Sequence, residues 1–312
     1  MRKWLPVIIL SAVLLGASAY WFHSKPYDAS RLVQMLPPDR SIHVYLNVAA
    51  LRSAGILDTI AGSKSLEDAE YRKFVDDTGF DYRKDLDELA IAFRDGDVFY
   101  AAQGRFNWDK LAAFAPSHGG KCDQFICTTP GSQPGRNVSY YMPRSGTLAL
   151  ATSRTASAGD MVGPGTWHDA PMIGDAGLWV STPPFVFADL NKMPAGTRSF
   201  FSPLAQANAT IFTLGKASNG RDGFELHMDV KTRDADAAKK MAAQYQEVTS
   251  LLVKMLERDN MHPNPADLSG VLVAGKFEAV ESQVIGTWPI SKAFVESLAS
   301  NVDLGGGKEE KK

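Results

Sequence analysis

The sequence predicts an α+β protein: an N-terminal transmembrane helix followed by two similar units of antiparallel β-hairpins covered by helices. Three observations carry this reading. Trp4 to Phe22 is a stretch of nineteen residues without a charge, placed directly behind Arg2 and Lys3. Asp95-Gly96 lies between two apolar runs, a strong short-range hairpin signal. From Ala238 to Met255 apolar residues recur at spacings of three and four, the period of an amphipathic helix.

Composition narrows the function classes. The chain has 312 residues, 45% hydrophobic and 22% charged, which excludes a disordered, collagen-like or multi-span protein. Lys and Arg number 33 against 35 Asp and Glu, so the basic excess of a nucleic-acid binder is missing. Two cysteines are too few for a disulfide-stapled mini-fold or a cysteine-rich zinc site.

In a helix, nineteen residues span roughly 28 Å, close to the hydrocarbon thickness of a bilayer. Arg2 and Lys3 hold the leading end in the cytoplasm, so the body is placed on the extracytoplasmic side. Two readings of the segment stay open. Tyr20-Trp21-Phe22 before His23 and Lys25 fits the interfacial end of an uncleaved anchor. Ala17-Ser18-Ala19 fits a signal-peptidase site, which would release the body by cleavage near Ala19.

Within the body, Leu89–Phe93 and Val98–Phe106 form a hairpin on Arg94–Asp97. Asn107 then caps a helix that presents Trp108, Leu111, Ala112 and Ala115 on one face. Asn208–Ala217 and Phe224–Thr232 form a second hairpin, followed by a helix from Asp234 to Arg258. Its stripe is Ala238, Met241, Ala242, Tyr245, Val248, Leu252 and Met255. Val138–Tyr141 with Thr147–Ala151, and Val271–Phe277 with Val284–Trp288, read as further strand pairs. A strand over Ser41–Val48 leads into a helix over Ala49–Ala61, and a strand over Pro184–Asn191 into a helix over Thr197–Ala207. A helix over Ser65–Asp77 is capped by Ser65 and stopped by Gly79. The organisation is therefore an anchor over 1–25, a first unit over 26–163, a second over 164–304 and a flexible tail over 305–312. Gly159–Gly177, rich in Gly and Pro, is read as the linker.

The motifs yield no catalytic, cofactor-binding or metal-binding set. Gly270–Lys276 fits the start of a phosphate loop, but Phe277 follows where Ser or Thr must hold Mg²⁺. Gly163–His168 lacks the third glycine of a dinucleotide fingerprint. The histidines (23, 43, 118, 168, 227 and 262) show no helical metal spacing. His43 and His227 alternate with apolar neighbours, which places them on solvent-facing strand positions. Asp81, Asp85, Asp87 and Glu88, interleaved with Arg83 and Lys84, read as a solvated face. Phe99, Tyr100, Phe106, Trp108, Phe185, Phe187, Phe200 and Phe201 read as core. Asn137-Val138-Ser139 and Asn208-Ala209-Thr210 match the glycan acceptor pattern.

Cys122 and Cys127 stand five apart. In one straight strand their Cα atoms would lie roughly 16 Å apart, beyond the limit of about 7 Å for a disulfide. If Asp123–Ile126 turns as a loop the two face each other, and an oxidising compartment favours the bridge.

Leu36-Pro37-Pro38-Asp39, the strand to Val48 and the phrase Asn47-Val48-Ala49-Ala50-Leu51-Arg52 resemble the opening of a group of membrane-anchored, exported bacterial proteins. Ala101-Ala102-Gln103-Gly104-Arg105-Phe106 before a helix is similar in flavour. The resemblance implies export, a bacterial source and α+β repeats; it assigns no activity and transfers no residue role. The expectation is a non-enzymatic interaction or scaffold module of the envelope with a protein partner. The alternatives are a carrier or sensor binding a small molecule or lipid between the halves, and an exported hydrolase.

Overall fold

The computed structural model describes residues 27–57, 69–163, 171–189, 195–217 and 223–301. In chain order its elements are α1 (Ala29–Gln34), β1 (Ile42–Asn47), α2 (Val48–Ser53), α3 (Ala69–Thr78), α4 (Tyr82–Asp85), β2 (Leu86–Arg94) and β3 (Asp97–Gly104). There follow α5 (Trp108–Ser117), β4 (Lys121–Asp123), β5 (Ile126–Pro130), β6 (Asn137–Arg144), β7 (Thr147–Ser153), β8 (Leu178–Thr182) and α6 (Ala195–Phe201). The chain continues through β9 (Ala209–Lys216), β10 (Phe224–Lys231), α7 (Ala235–Arg258), α8 (Leu268–Val273), β11 (Lys276–Val280), β12 (Gln283–Ile290) and α9 (Lys292–Asn301).

The strands form one 12-stranded sheet in the order β11-β12-β10-β9-β8-β1-β2-β3-β7-β6-β5-β4, antiparallel throughout. This corrects the expectation of two similar hairpin units, for which the sequence left open a shared sheet: both halves build one continuous sheet. The join is the β1–β8 pair, with Val44 opposite Val180 and Tyr45 opposite Trp179. The strand expected over Pro184–Asn191 is also corrected. Proline has no N–H to donate to a ladder, and Pro184–Phe187 forms a 3₁₀ turn instead. The ladder is supplied one segment earlier, by β8. Outward from the join the order is β1-β2-β3-β7-β6 on one side and β8-β9-β10-β12-β11 on the other, with the β4–β5 hairpin added beyond β6.

The transmembrane helix expected over 1–25 lies outside the described residues. Among the described residues no helix is long and apolar enough to cross a membrane. Ser65, His23, His168 and the 305–312 tail likewise fall outside them.

Local chemistry sets the turns and caps. Asp95 and Gly96 have φ of 50° and 84°. Two successive left-handed residues make the turn whose twist matches a hairpin, and Asp-Gly tolerates that conformation best. The Asn47, Asn107 and Asp234 side chains accept from the N–H groups of Ala50, Lys110 and Ala237, closing the first turns of α2, α5 and α7. Arg52 ends α2 by donating to the carbonyls of Arg83 and Leu86 and to Asp87, each at 2.9 Å. The strand expected from Val271 is the helix α8, capped by Asp267. There a Cβ on Gly270 would fall 2.0 Å from the Asn264 carbonyl oxygen, so this glycine serves close packing, not a phosphate.

The two faces of the sheet are buried unequally. On one face α1 sets Leu32, Val33, Met35 and Leu36 against Tyr45, Ala90, Ala92, Phe99, Ala101, Ala149 and Ala151. The small alanines let the helix approach the strands closely. Ile173 and Ala176 are buried in the same cluster, so the end of the supposed linker is core. His43 shares this face. It is buried with Nε2 2.9 Å from the Pro37 carbonyl oxygen, where the sequence suggested solvent. Burial lowers its pKa below the ordinary histidine value.

On the opposite face α7 packs Ala238, Met241, Ala242 and Tyr245 against Met228, Val230, Phe277, Val284 and Trp288. At the far end α5 covers Cys127 and Tyr140. The sheet edges are blunted: β4 is three residues long, and Gln246 of α7 donates to the Phe277 carbonyl on β11 (3.1 Å).

Candidate functional site

The pair Cys122 and Cys127 leads to the best-built surface feature. In the β4–β5 register Lys121 faces Thr128, Cys122 faces Cys127 and Asp123 faces Ile126. The turn is therefore two residues, Gln124-Phe125, where the sequence suggested four. The two cysteines are disulfide-bonded, with Cα atoms 3.9 Å apart. Gln124 has φ 52°, a left-handed conformation that costs a non-glycine residue about 1–2 kcal/mol and persists only where the surroundings impose it. Here the two-residue hairpin turn requires it, and the disulfide lies across the base of that turn. The outcome is Phe125 standing 78% exposed at the tip.

Alternation along the strands gives the hairpin two roles. Cys127 points to α5, fully buried with Leu111, Ala115 and Tyr140, whose hydroxyl donates to the Leu111 carbonyl (2.8 Å). Burial pushes the Tyr140 phenol up to about 12, so it stays neutral. A Cβ on Gly120 would meet the Thr128 carbonyl oxygen at 2.1 Å; only glycine lets the chain leave α5 and pair as β4 this closely.

Lys121, Asp123, Ile126 and Thr128 lie on the other side and floor an open cleft of about 700 Å³, with Tyr141 behind them and Ala156, Ser157 and Asp160 as its wall. The wall is tied down by Gly159 N–H to Ser139 Oγ (2.7 Å) and Thr128 Oγ1 to the Ala156 carbonyl (3.2 Å). Tyr141 donates to the Val162 carbonyl. Burial, aided by the Asp160 charge, raises its pKa. The cleft thus offers one exposed aromatic ring, one ammonium, two carboxylates and no paired nucleophile and base.

Of the other residues singled out by sequence, Asp81 and Asp85 stay together, the Asp81 N–H donating to Asp85 Oδ2 (2.9 Å), and most of the rest are engaged separately. Asp81 caps α4 and accepts from Tyr71 (3.0 Å) and Lys84 (2.9 Å). Burial raises its pKa, but those bonds and the Arg83 N–H outweigh it and hold the carboxyl below its ordinary value. Asp85 pairs with Arg105 at 3.1 Å and Asp87 with Arg52 at 2.9 Å. His118 stacks on Phe114, and His227 lies 3.1 Å from Glu225. Among the described residues no cluster of three or more His, Cys, Asp or Glu could hold a metal ion. Of the aromatics, Phe99, Phe187 and Phe200 are buried, whereas Phe185 is exposed beside the Arg40 guanidinium (6.0 Å).

Glu88 departs from the solvated face assigned to it. It sits in register between Asn47 and Gln103, accepts from the Tyr45 hydroxyl, and leaves Oε2 buried without a partner. Burial first, then the Asp87 and Asp28 charges, raise its pKa. A carboxyl whose folded pKa lies above its unfolded one weakens the fold as pH rises through the unfolded value. Glu88→Gln should therefore raise the Tm at pH 7. The gain should shrink towards zero below the ordinary glutamate pKa, near pH 4. Melting curves across that range test it; a gain independent of pH would refute the ionisation argument.

The described chain is thus an α+β protein on a single antiparallel sheet, carrying a disulfide-closed turn beside a cleft. No protein-family model matches it, and no curated protein does. It is similar to solved structures of TP0453. Crystal form III gives a TM-score of 0.47 at 13% identity, covering 88% of this chain and 97% of that one. Crystal form IV gives 0.43 at 13%, covering 86% and 94%. At these values the likeness carries no argument about function.

Proposed function

We propose that this chain is a non-enzymatic protein-binding module of the bacterial envelope, facing the extracytoplasmic side, and that it grips a partner's apolar side chain between the Phe125 turn and the cleft behind it. The carrying observation is Phe125, exposed on a turn that the Cys122–Cys127 bond closes. A large aromatic held rigid before binding loses little entropy on docking, the property of an interface anchor. The disulfide and the uncharged stretch behind Arg2 and Lys3 support an oxidising, exported setting.

The test is a photo-crosslinking phenylalanine analogue at position 125 of the full-length chain in its own membranes, with Val280, exposed on β11, as the control position. One adduct of defined mass at 125 and none at 280 is expected. Phe125→Ala should abolish co-purification of that partner while leaving the Tm within about 1 °C, since exposed substitutions change stability little. Equal labelling from both positions, or none from 125, would overturn the proposal.

A further inference from the structure

α7 carries a second surface that neither the sheet nor the cleft uses. Its core face runs from Ala238 to Leu252. Off that face, Leu251 and Met255 stand one turn apart, 51% and 50% exposed. The sequence placed Met255 on the buried stripe; the structure turns it outward. Met261, also exposed, is held beside the helix end by its N–H to the Leu256 carbonyl (2.8 Å).

Beside this stripe Glu247 and Arg258 are complementary across a two-fold axis, while Lys254, on the same flank, meets its own copy as a like charge that the two opposite-charge contacts outnumber. At 100° per residue Glu247 and Arg258 flank the Leu251–Met255 line on the same side, one before it and one after it. Pair the helix with an antiparallel copy about a two-fold axis at position 253. Leu251 of each copy then meets Met255 of the other. Glu247 lies six residues before the axis and Arg258 five after it. The two approach across the pair with an axial offset of about 1.5 Å, well within side-chain reach. A two-fold operation keeps both on one flank, so the contact forms twice. Arg258 already bonds the neighbouring Asp259 at 2.9 Å, an exposed pair that can admit a third partner.

We propose that the chain self-associates as an antiparallel homodimer through the C-terminal half of α7, with Leu251 and Met255 as its centre and Glu247–Arg258 as its paired rim. The contact is small, so the dimer belongs to the weak, transient class. It uses a different surface from the Phe125 turn and stands or falls apart from it.

Sedimentation of the full-length chain in detergent, from low-micromolar to near-millimolar concentration, should show a monomer–dimer equilibrium. Leu251→Glu with Met255→Glu should abolish it. Glu247→Arg or Arg258→Glu alone should each raise the Kd roughly tenfold, by replacing two attractive contacts with two repulsive ones. Mixing those two single variants should restore wild-type affinity in a heterodimer, because both contacts then join opposite charges. A wild-type chain that stays monomeric overturns the proposal. So does a dimer that survives the glutamate pair, or a mixture that fails to recover, whatever protein or lipid the stripe is found to bind instead. The charge variants keep the test decisive if the glutamate pair fails to fold.

Discussion

Leu32→Ala is expected to lower the unfolding free energy by about 2–5 kcal/mol, the range for emptying a well-packed core position. Leu32 is wholly buried on α1, as are its neighbours Val33, Met35 and Leu36, against the alanine-lined face of β2, β3 and β7. The small strand residues cannot expand to fill the space, so little collapse should relieve the cavity. In sequence α1 follows closely on the anchor expected over 1–25, and a surface linker there would tolerate the same change within about 0.5 kcal/mol. Urea unfolding distinguishes the two. A fall in midpoint at unchanged slope marks lost core packing, and no change would mean that α1 does not belong to the core.

The second large effect is expected at the turn. Replacing Cys122 and Cys127 by alanine removes a covalent closure over five positions of sequence separation. For so short a loop the chain-entropy relation gives about 2 kcal/mol. The loss should be local. β4 is an edge strand, so amide exchange should quicken through β4 and β5 while α7 keeps its protection. Phe125 should lose its fixed presentation, and cross-linking from position 125 should fall with it. Unchanged β4–β5 protection would show that packing of the hairpin on α5, not the bond, holds the turn.

How far the sequence could be read follows from the range of the interactions involved. The Asp95-Gly96 hairpin, the Asn107 cap and the Asp234–Arg258 helix are local: a φ preference, a side-chain-to-backbone bond and a 3.6-residue period identify each within a few residues. β8 escaped notice because five residues between a glycine-rich run and two prolines hold no periodic signal of their own. Its strand character comes from β1 on one side and β9 on the other. The same kind of error misplaced His43 and Glu88. Alternation shows only which side of its own strand each occupies; the packing of α1 decides that this face of the sheet is covered. Phe125 carried no sequence signal as an anchor, because exposure depends on what does not pack over a turn.

By itself, then, the sequence determined the local grammar: which segments twist as hairpins, where α5 and α7 begin, and that the two cysteines could meet only if the chain turned between them. The tertiary structure decided what local chemistry cannot encode. Pairing β1 with β8 made one sheet of two halves, α1 chose which side of β1 became core, and the packing of α7 left Leu251 and Met255 off its core face. The physical reason is common to all three. Burial belongs to pairs of surfaces, and the second surface of each pair lies on a different element, outside the local pattern that is read.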